Sequence, residues 1–262
     1  MDTQFPDHPE ARSHLVLVDT FKGGTGKTTT ARWLAARLAA SGESVLLTGL
    51  SPQNDVIVTD PTSVSGVRDA IGSARTPTVT NLTESLRYVP AGTTAFGSDD
   101  PGLGAYYRRL SASLDCRWCI VDGINFLQDA AWWVLDAADV LIIPAMPTPE
   151  AVRAGLRTMR AVVRAQSTLG RAVNLSVLRI LLVDVPSASR VPAAMRDLLD
   201  ALDGAYGPAV LASRIRHTAR RQVGDDDGGL LQSGLRTDLT GPRISEDYDA
   251  LAAELRALVR DD

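Results

Sequence analysis

The sequence predicts a single α/β domain, a mostly parallel twisted sheet with helices on both faces. Short, continuously apolar segments such as HLVLV at 14–18 and VLIIPA at 140–145 read as strands covered on both sides. Segments with apolar residues at helical spacing lie between them. No Gly-, Pro- or Ser-rich stretch is long enough to separate two units, and no internal repeat is present. Residues 13–262 therefore read as one domain behind a loose tail at 1–12.

The elements follow in order. Residues 14–20 form the first strand, and a glycine-rich loop follows it. Residues 28–40 carry Ala31, Leu34, Ala35 and Leu38 on one face and stop at Ser41-Gly42, which is a helix with its terminator. Residues 44–48 make the second strand. Residues 51–81 are rich in Ser, Thr and Pro and read as loops around a short helix at 67–73. A third strand is expected at 86–90, a loop at 91–104 and a helix at 106–114. Residues 118–122 (WCIVD) are a fourth strand that ends in a carboxylate. A helix at 126–137, a strand at 140–145 and a long helix from 148 to about 167 come next, with Pro149 in the first turn of the last. Strands at 177–184 and 209–212 flank a helix at 191–202. The closing helix, 246–260, puts Tyr248, Leu251, Leu255, Leu258 and Val259 on one face.

Composition excludes several classes. Hydrophobic residues are 45% and charged residues 22% of the 262, so the chain is neither disordered nor membrane-embedded in character. No apolar run approaches the ~18 residues of a spanning helix. The first residues, MDTQFPDHPEARSH, are polar and acidic, unlike a signal peptide, and two cysteines suit the cytosol. A net charge of −4 argues against a protein coated in nucleic acid but leaves room for one basic face.

Of 27 cationic side chains only Lys22 and Lys27 are lysines, and both fall in the loop FKGGTGKTT. A compact ammonium and a planar guanidinium are not interchangeable, so this loop needs what arginine does not supply. Gly23, Gly24 and Gly26 let backbone N–H groups turn inward on an anion. Lys27 can reach β- and γ-phosphates, the Thr28 hydroxyl can ligate Mg²⁺, and the following helix adds its positive end. Lys22, Gly23, Gly24, Thr25, Gly26, Lys27, Thr28 and Thr29 are the candidate nucleotide-binding residues.

KGGTGKTTT resembles the deviant Walker A loop of the ParA/MinD group of P-loop ATPases. VLLTGLSPQND, LRYVPAG, WCIVDGIN, DAADVLIIPAMPT and EDYDALAAELRAL resemble further segments of that group, so the likeness covers most of the chain. The resemblance implies MgATP as ligand and a homodimer closed across two nucleotides. It implies that Lys22 crosses to the partner's phosphates, and that Lys27 and Asp122 join it in catalysis, with Thr28 and Asp122 serving the metal. Two departures stand out. The group has DLDPQ after the second strand, its first aspartate orienting the attacking water. Here the two aspartate positions are Gly49 and Ser51, and Asp55 and Asp60 lie out of register. Slow hydrolysis is therefore expected. After Asp122 the group has Thr or Ala and then Pro; this chain has Gly123-Ile124-Asn125.

The stretch 214–221 holds Arg214, Arg216, Arg220 and Arg221 without an acid, and Arg190 precedes it. The resemblance implies a sequence-independent DNA surface there, since such cations contact phosphates. The alternative is a solvated face, or pairing with Asp225, Asp226 and Asp227. Cys116 and Cys119 form a lone CxxC without a ligand partner and read as packing residues. Trp132-Trp133 reads as core or dimer packing. The terminal helix carries Glu246, Asp247, Asp249 and Glu254, a charge balance unsuited to an anionic bilayer.

The expected function is that of a ParA-like ATPase. Its ATP dimer would bind DNA without sequence preference, associate with the nucleoid and position a plasmid, chromosome or other cargo through a ParB-like or other adaptor. The alternatives are a MinD-like membrane-positioning ATPase, an ATP-locked switch with little hydrolysis, and a metabolic P-loop enzyme.

Overall fold

Eight strands order as β3-β4-β2-β5-β1-β6-β7-β8 in one sheet. They are β1 (His14–Val18), β2 (Val45–Gly49), β3 (Thr80–Asn81), β4 (Leu86–Tyr88), β5 (Trp118–Asp122), β6 (Val140–Ala145), β7 (Val177–Val185) and β8 (Val210–Arg216). The helices are α1 (Lys27–Ala40), α2 (Val67–Ala70), α3 (Leu103–Ser113), α4 (Asp129–Leu135), α5 (Pro149–Thr168) and, as α6, Pro242–Leu258. The computed structural model describes residues 13–51, 65–71, 73, 76–92, 96, 102–126, 129–168, 175–186, 197, 209–217 and 242–259. The tail at 1–12 and all but one residue of the helix expected at 191–202 lie outside these, as do Asp55, Asp60 and Asp225 to Asp227.

All pairings are parallel except β3 with β4. The central strands β1, β2, β5 and β6 are buried at every position, which is why their sequences are unbroken apolar runs rather than alternating ones. Alternate residues serve two cores. On one face Val16, Val18, Val45, Leu47, Ile120 and Ile142 meet Trp33, Leu34 and Leu38 of α1 and Tyr248, Leu251 and Leu255 of α6. On the other, Leu15, Leu17, Leu46, Val121, Leu141 and Ile143 meet α3, α4 and α5 through Tyr107, Val134 and Val152, among others.

β5 lies between β1 and β2, with Asp122 in register with Val18 on one side and Gly49 on the other. The C-terminal ends of three central strands thus converge, and a crevice at such a point is where open α/β sheets bind ligands. Cys116 and Cys119 are free and buried, and burial pushes both thiols up from their usual range. Arg87 donates to the Cys116 sulfur at 3.2 Å, in keeping with packing residues. Trp132 donates from its indole to the Phe126 carbonyl at 3.0 Å and packs its ring on Phe126, so it belongs to the core margin.

Candidate functional site

The loop between β1 and α1 turns through two left-handed glycines, Gly24 at φ +70° and Gly26 at φ +85°. A side chain would strain either backbone, which accounts for glycine at both places. Gly26 caps α1 with no side-chain hydrogen bond, and the first turn holds no acidic residue. Gly26 therefore offers the first N–H groups of α1 no side-chain acceptor, and Lys27 is the first residue of that helix. That is a ready anion site. Thr30 N–H donates back to the Gly26 carbonyl at 2.8 Å and fixes the entry to the helix. Gly23 and Gly24 are exposed, Thr25 is buried, and Lys27, Thr28 and Thr29 are half-buried at the mouth.

Lys22 behaves differently from Lys27. Its ammonium lies 3.2 Å from Glu150 Oε1, in the first turn of α5. Both side chains are substantially exposed, 43% and 82%. An exposed pair of this kind contributes little and is readily exchanged for a stronger anion.

Asp122 is buried at the end of β5, beside the loop. Gly49, in register with it, carries no positive φ, and a Cβ there would meet nothing closer than the Asp122 carbonyl oxygen at 3.7 Å. A Cβ at position 49 would therefore sit in ordinary contact with Asp122, without a clash. Tyr107 of α3 donates its hydroxyl to the Gly49 carbonyl at 2.8 Å, which steadies this strand end.

One site residue escaped the sequence reading. Asp19 directly follows β1 and is fully buried. Its Oδ1 accepts the Thr20 N–H at 2.7 Å, while Oδ2 finds no hydrogen-bond partner among the described residues. Burial pushes its carboxyl up to about 7; Lys27 and the Thr20 N–H oppose that rise, and Asp122 adds to it. The side chain fills the space into which a Cβ on residue 123 would project, with Asp19 Oδ2 only 2.6 Å from that point. The glycine after Asp122 is thus the counterpart of Asp19. An acid ending an apolar strand, together with a glycine after the strand-end aspartate, was the signal available.

Gly123→Ala is expected to overpack this spot at a cost of about 1–3 kcal/mol, read as a lower urea midpoint at unchanged slope. The loss should shrink in an Asp19→Ala background, because the two changes share one contact. Equal losses in both backgrounds would place the crowding elsewhere.

The group that fits here is a nucleotide triphosphate with a magnesium ion. The buried strand-end carboxylate of Asp122 and the Thr28 hydroxyl are hard oxygen donors. Mg²⁺ is commonly held by one or two carboxylates plus substrate phosphates. Asp122 and Thr28 would hold it.

The arginine patch is only partly within the described residues. Arg214 lies half-buried on β8, whereas Arg190, Arg220 and Arg221 are outside. Arg216 Nε donates to Asp247 Oδ1 at 2.8 Å, and its Nη2 lies 3.2 Å from Glu246 Oε2. Its guanidinium thus pairs with acids of α6; Asp225, Asp226 and Asp227, weighed from sequence, lie outside the described residues.

No protein-family model matches the chain. The maintenance of carboxysome distribution protein A of Synechococcus elongatus is 30% identical over 157 residues, 55% of this chain and 62% of that protein. The chain thus spans 62% of the length of this curated relative. The apo structure of McdA from Cyanothece superposes with a TM-score of 0.74 at 19% identity, covering 93% of this chain and 99% of the other. The ATP complex of a substituted McdA from Cyanothece gives 0.65 at 18%, covering 94% and 97%. The septum site-determining protein MinD of Pyrococcus horikoshii, complexed with Mg-ADP, gives 0.65 at 19%, covering 94% and 97%. At these identities the structures establish the fold.

Proposed function

We propose that the chain is a ParA/MinD-type P-loop ATPase and acts as an ATP-driven positioning protein. It binds MgATP in the loop at 22–29, closes as a homodimer across the nucleotides, and distributes a cargo within the cell. Three features support nucleotide binding: the left-handed glycines, the uncapped start of α1 beside Lys27, and the buried strand-end Asp122. Lys27 neutralises the β- and γ-phosphates, and the N–H groups of the loop and first turn bind their oxygens. When bound, magnesium offsets charge between the phosphates, and Asp122 and Thr28 orient it. Glycine and serine at positions 49 and 51 support slow turnover, raised by a partner protein.

The observation that carries the dimer is Lys22. It stands apart from Lys27, exposed, and is held only weakly by Glu150. An ammonium so placed is free to leave its own loop for a phosphate on a second copy. Lys22→Ala should therefore leave ATP affinity within about twofold and abolish the ATP-dependent dimer, seen by size exclusion with light scattering. Normal dimerisation by Lys22→Ala would remove the crossing lysine from this reading.

The dimer's track is proposed to be DNA, bound without sequence preference through Arg190, Arg214, Arg216, Arg220 and Arg221, which puts the ATP form on the nucleoid. A ParB-like or other adaptor would link it to cargo. Arg216 must release Asp247 and Glu246 to contact phosphate. A membrane track is the weaker reading. The apolar face of α6 is already spent on the sheet through Tyr248, Leu251 and Leu255. Its acids are engaged as well, Asp249 by Arg37 and Glu254 by the N–H groups of Ala212 and Ser213. Among the described residues no helix is long and apolar enough to cross a membrane.

A further inference from the structure

We propose that Asp19 is the carboxylate that orients the attacking water in this chain, in place of the aspartates missing at Gly49 and Ser51. The inference rests on the MgATP reading above and goes beyond it by assigning a residue.

Four observations converge on Asp19. It lies at the end of β1, immediately before the loop, where β1 and β5 finish side by side. It is fully buried, yet Oδ2 has no hydrogen-bond partner among the described residues. A buried acceptor left open costs free energy, so such a group is retained where something arrives to use it. Its Oδ1 is anchored by the Thr20 N–H at 2.7 Å, which fixes the carboxyl plane and leaves Oδ2 as the working atom. Finally, glycine at position 123 is what admits the side chain, since any Cβ there would collide with it. The two departures from the family pattern are thereby connected. The chain lacks a carboxylate at β2, and the residue after Asp122 has been reduced to make room for one arriving from β1.

The chemistry needs a carboxylate near Lys27, because Lys27 marks where the β- and γ-phosphates lie. Asp19 precedes the loop and Lys27 opens the helix after it, near enough for the Lys27 charge to oppose the rise of the Asp19 carboxyl. In the step assigned, Asp19 Oδ2 accepts a hydrogen bond from water. The water oxygen bonds to the γ-phosphorus, and the bond from that phosphorus to the β–γ bridging oxygen breaks, leaving its electron pair on ADP. Both water hydrogens end on the released dihydrogen phosphate, one of them by way of Asp19. No other reactant is required. On this account Asp19 makes its main contribution in the transition state, so it affects kcat rather than ATP affinity.

Asp19→Asn tests this cleanly. Asparagine keeps the volume against Gly123 and can still accept the Thr20 N–H through its amide oxygen, so only the charge and the basic oxygen are lost. The full-length protein is assayed for phosphate release, for binding of a fluorescent ATP analogue, for thermal melting, and for lifetime of the ATP dimer. The expected result is a fall in kcat of about 100-fold, with ATP affinity within about twofold, unchanged melting and a longer-lived ATP dimer. Adding Gly49→Asp to Asp19→Asn should recover most of the lost turnover, because that position is open to a Cβ. Adding it to the wild-type chain should raise turnover by a smaller factor, because Asp19 already orients the water there.

Turnover of Asp19→Asn near the wild-type value overturns the assignment. So does a loss of ATP affinity or melting temperature that accounts for its lost activity, which would make Asp19 structural. An equal gain from Gly49→Asp in both backgrounds also overturns it. A wild-type chain that binds MgATP and dimerises, but releases phosphate no faster than Lys27→Ala, defeats this inference and leaves the MgATP reading standing. A wild-type chain that fails to bind MgATP defeats both.

Discussion

Lys27→Ala is expected to weaken ATP binding by at least about 100-fold, equivalent to ~2.8 kcal/mol. Lys27 is the first residue of α1 and stands beside N–H groups that have no side-chain cap. The triphosphate brings several negative charges into a partly desolvated crevice, and the ammonium is the compact cation there that answers them. Helix-terminal N–H groups remain in the variant, so residual binding of phosphate is expected to persist at high nucleotide concentration. Alanine is the best helix former, and α1 should remain folded. Isothermal titration with MgATP, alongside circular dichroism, separates the two effects. Affinity retained near the wild-type value would show that the loop at 22–29 is not the phosphate site.

Trp33→Ala is expected to produce the largest loss of stability, about 3–5 kcal/mol. Trp33 of α1 stacks on Tyr248 of α6, with ring centroids 5.5 Å apart and planes 11° from parallel. Both rings are buried against the sheet. This contact joins the helix that begins at Lys27 to the end of the chain, and its removal leaves a cavity that two helices and a sheet cannot jointly close. Urea denaturation measures the effect, and Trp33→Phe should lose less because the aromatic contact with Tyr248 is partly kept. A loss below about 1 kcal/mol in Trp33→Ala would mean that α6 repacks onto α1 without a void.

Much of the fold was legible because the sheet is buried on both faces. β5, β6 and the start of β1 stand out as apolar runs, and α1 fits its helical spacing and the Ser41-Gly42 stop. The ends were less legible. α4 starts at Asp129 rather than at 126, and β8 extends to Arg216, well past the apolar stretch that marks its start. The two-residue strand β3, antiparallel to β4, carries no apolar signal because both residues are exposed. A strand this short is held by its neighbour's backbone and not by its own side chains.

The loop was legible because its chemistry is local. Two lysines, three glycines and three threonines lie at fixed spacing along one turn, so nearness in sequence is nearness in space. By itself the sequence determined the fold class, the glycine- and lysine-bearing loop after β1, the strand-end Asp122 and the absence of carboxylates at positions 49 and 51. The tertiary structure alone decided which distant charges meet. Lys22 faces Glu150 across 128 positions and Arg216 faces Asp247 across 31. It also decided that β5 enters between β1 and β2, which is what brings Gly123 against Asp19 and sets Gly49 beside Asp122 at a distance a Cβ would tolerate. The physical reason is range. Backbone conformation and helical or strand periodicity arise from neighbours along the chain, whereas burial, an open acceptor and a missing Cβ acquire meaning only when strands far apart in sequence are set side by side.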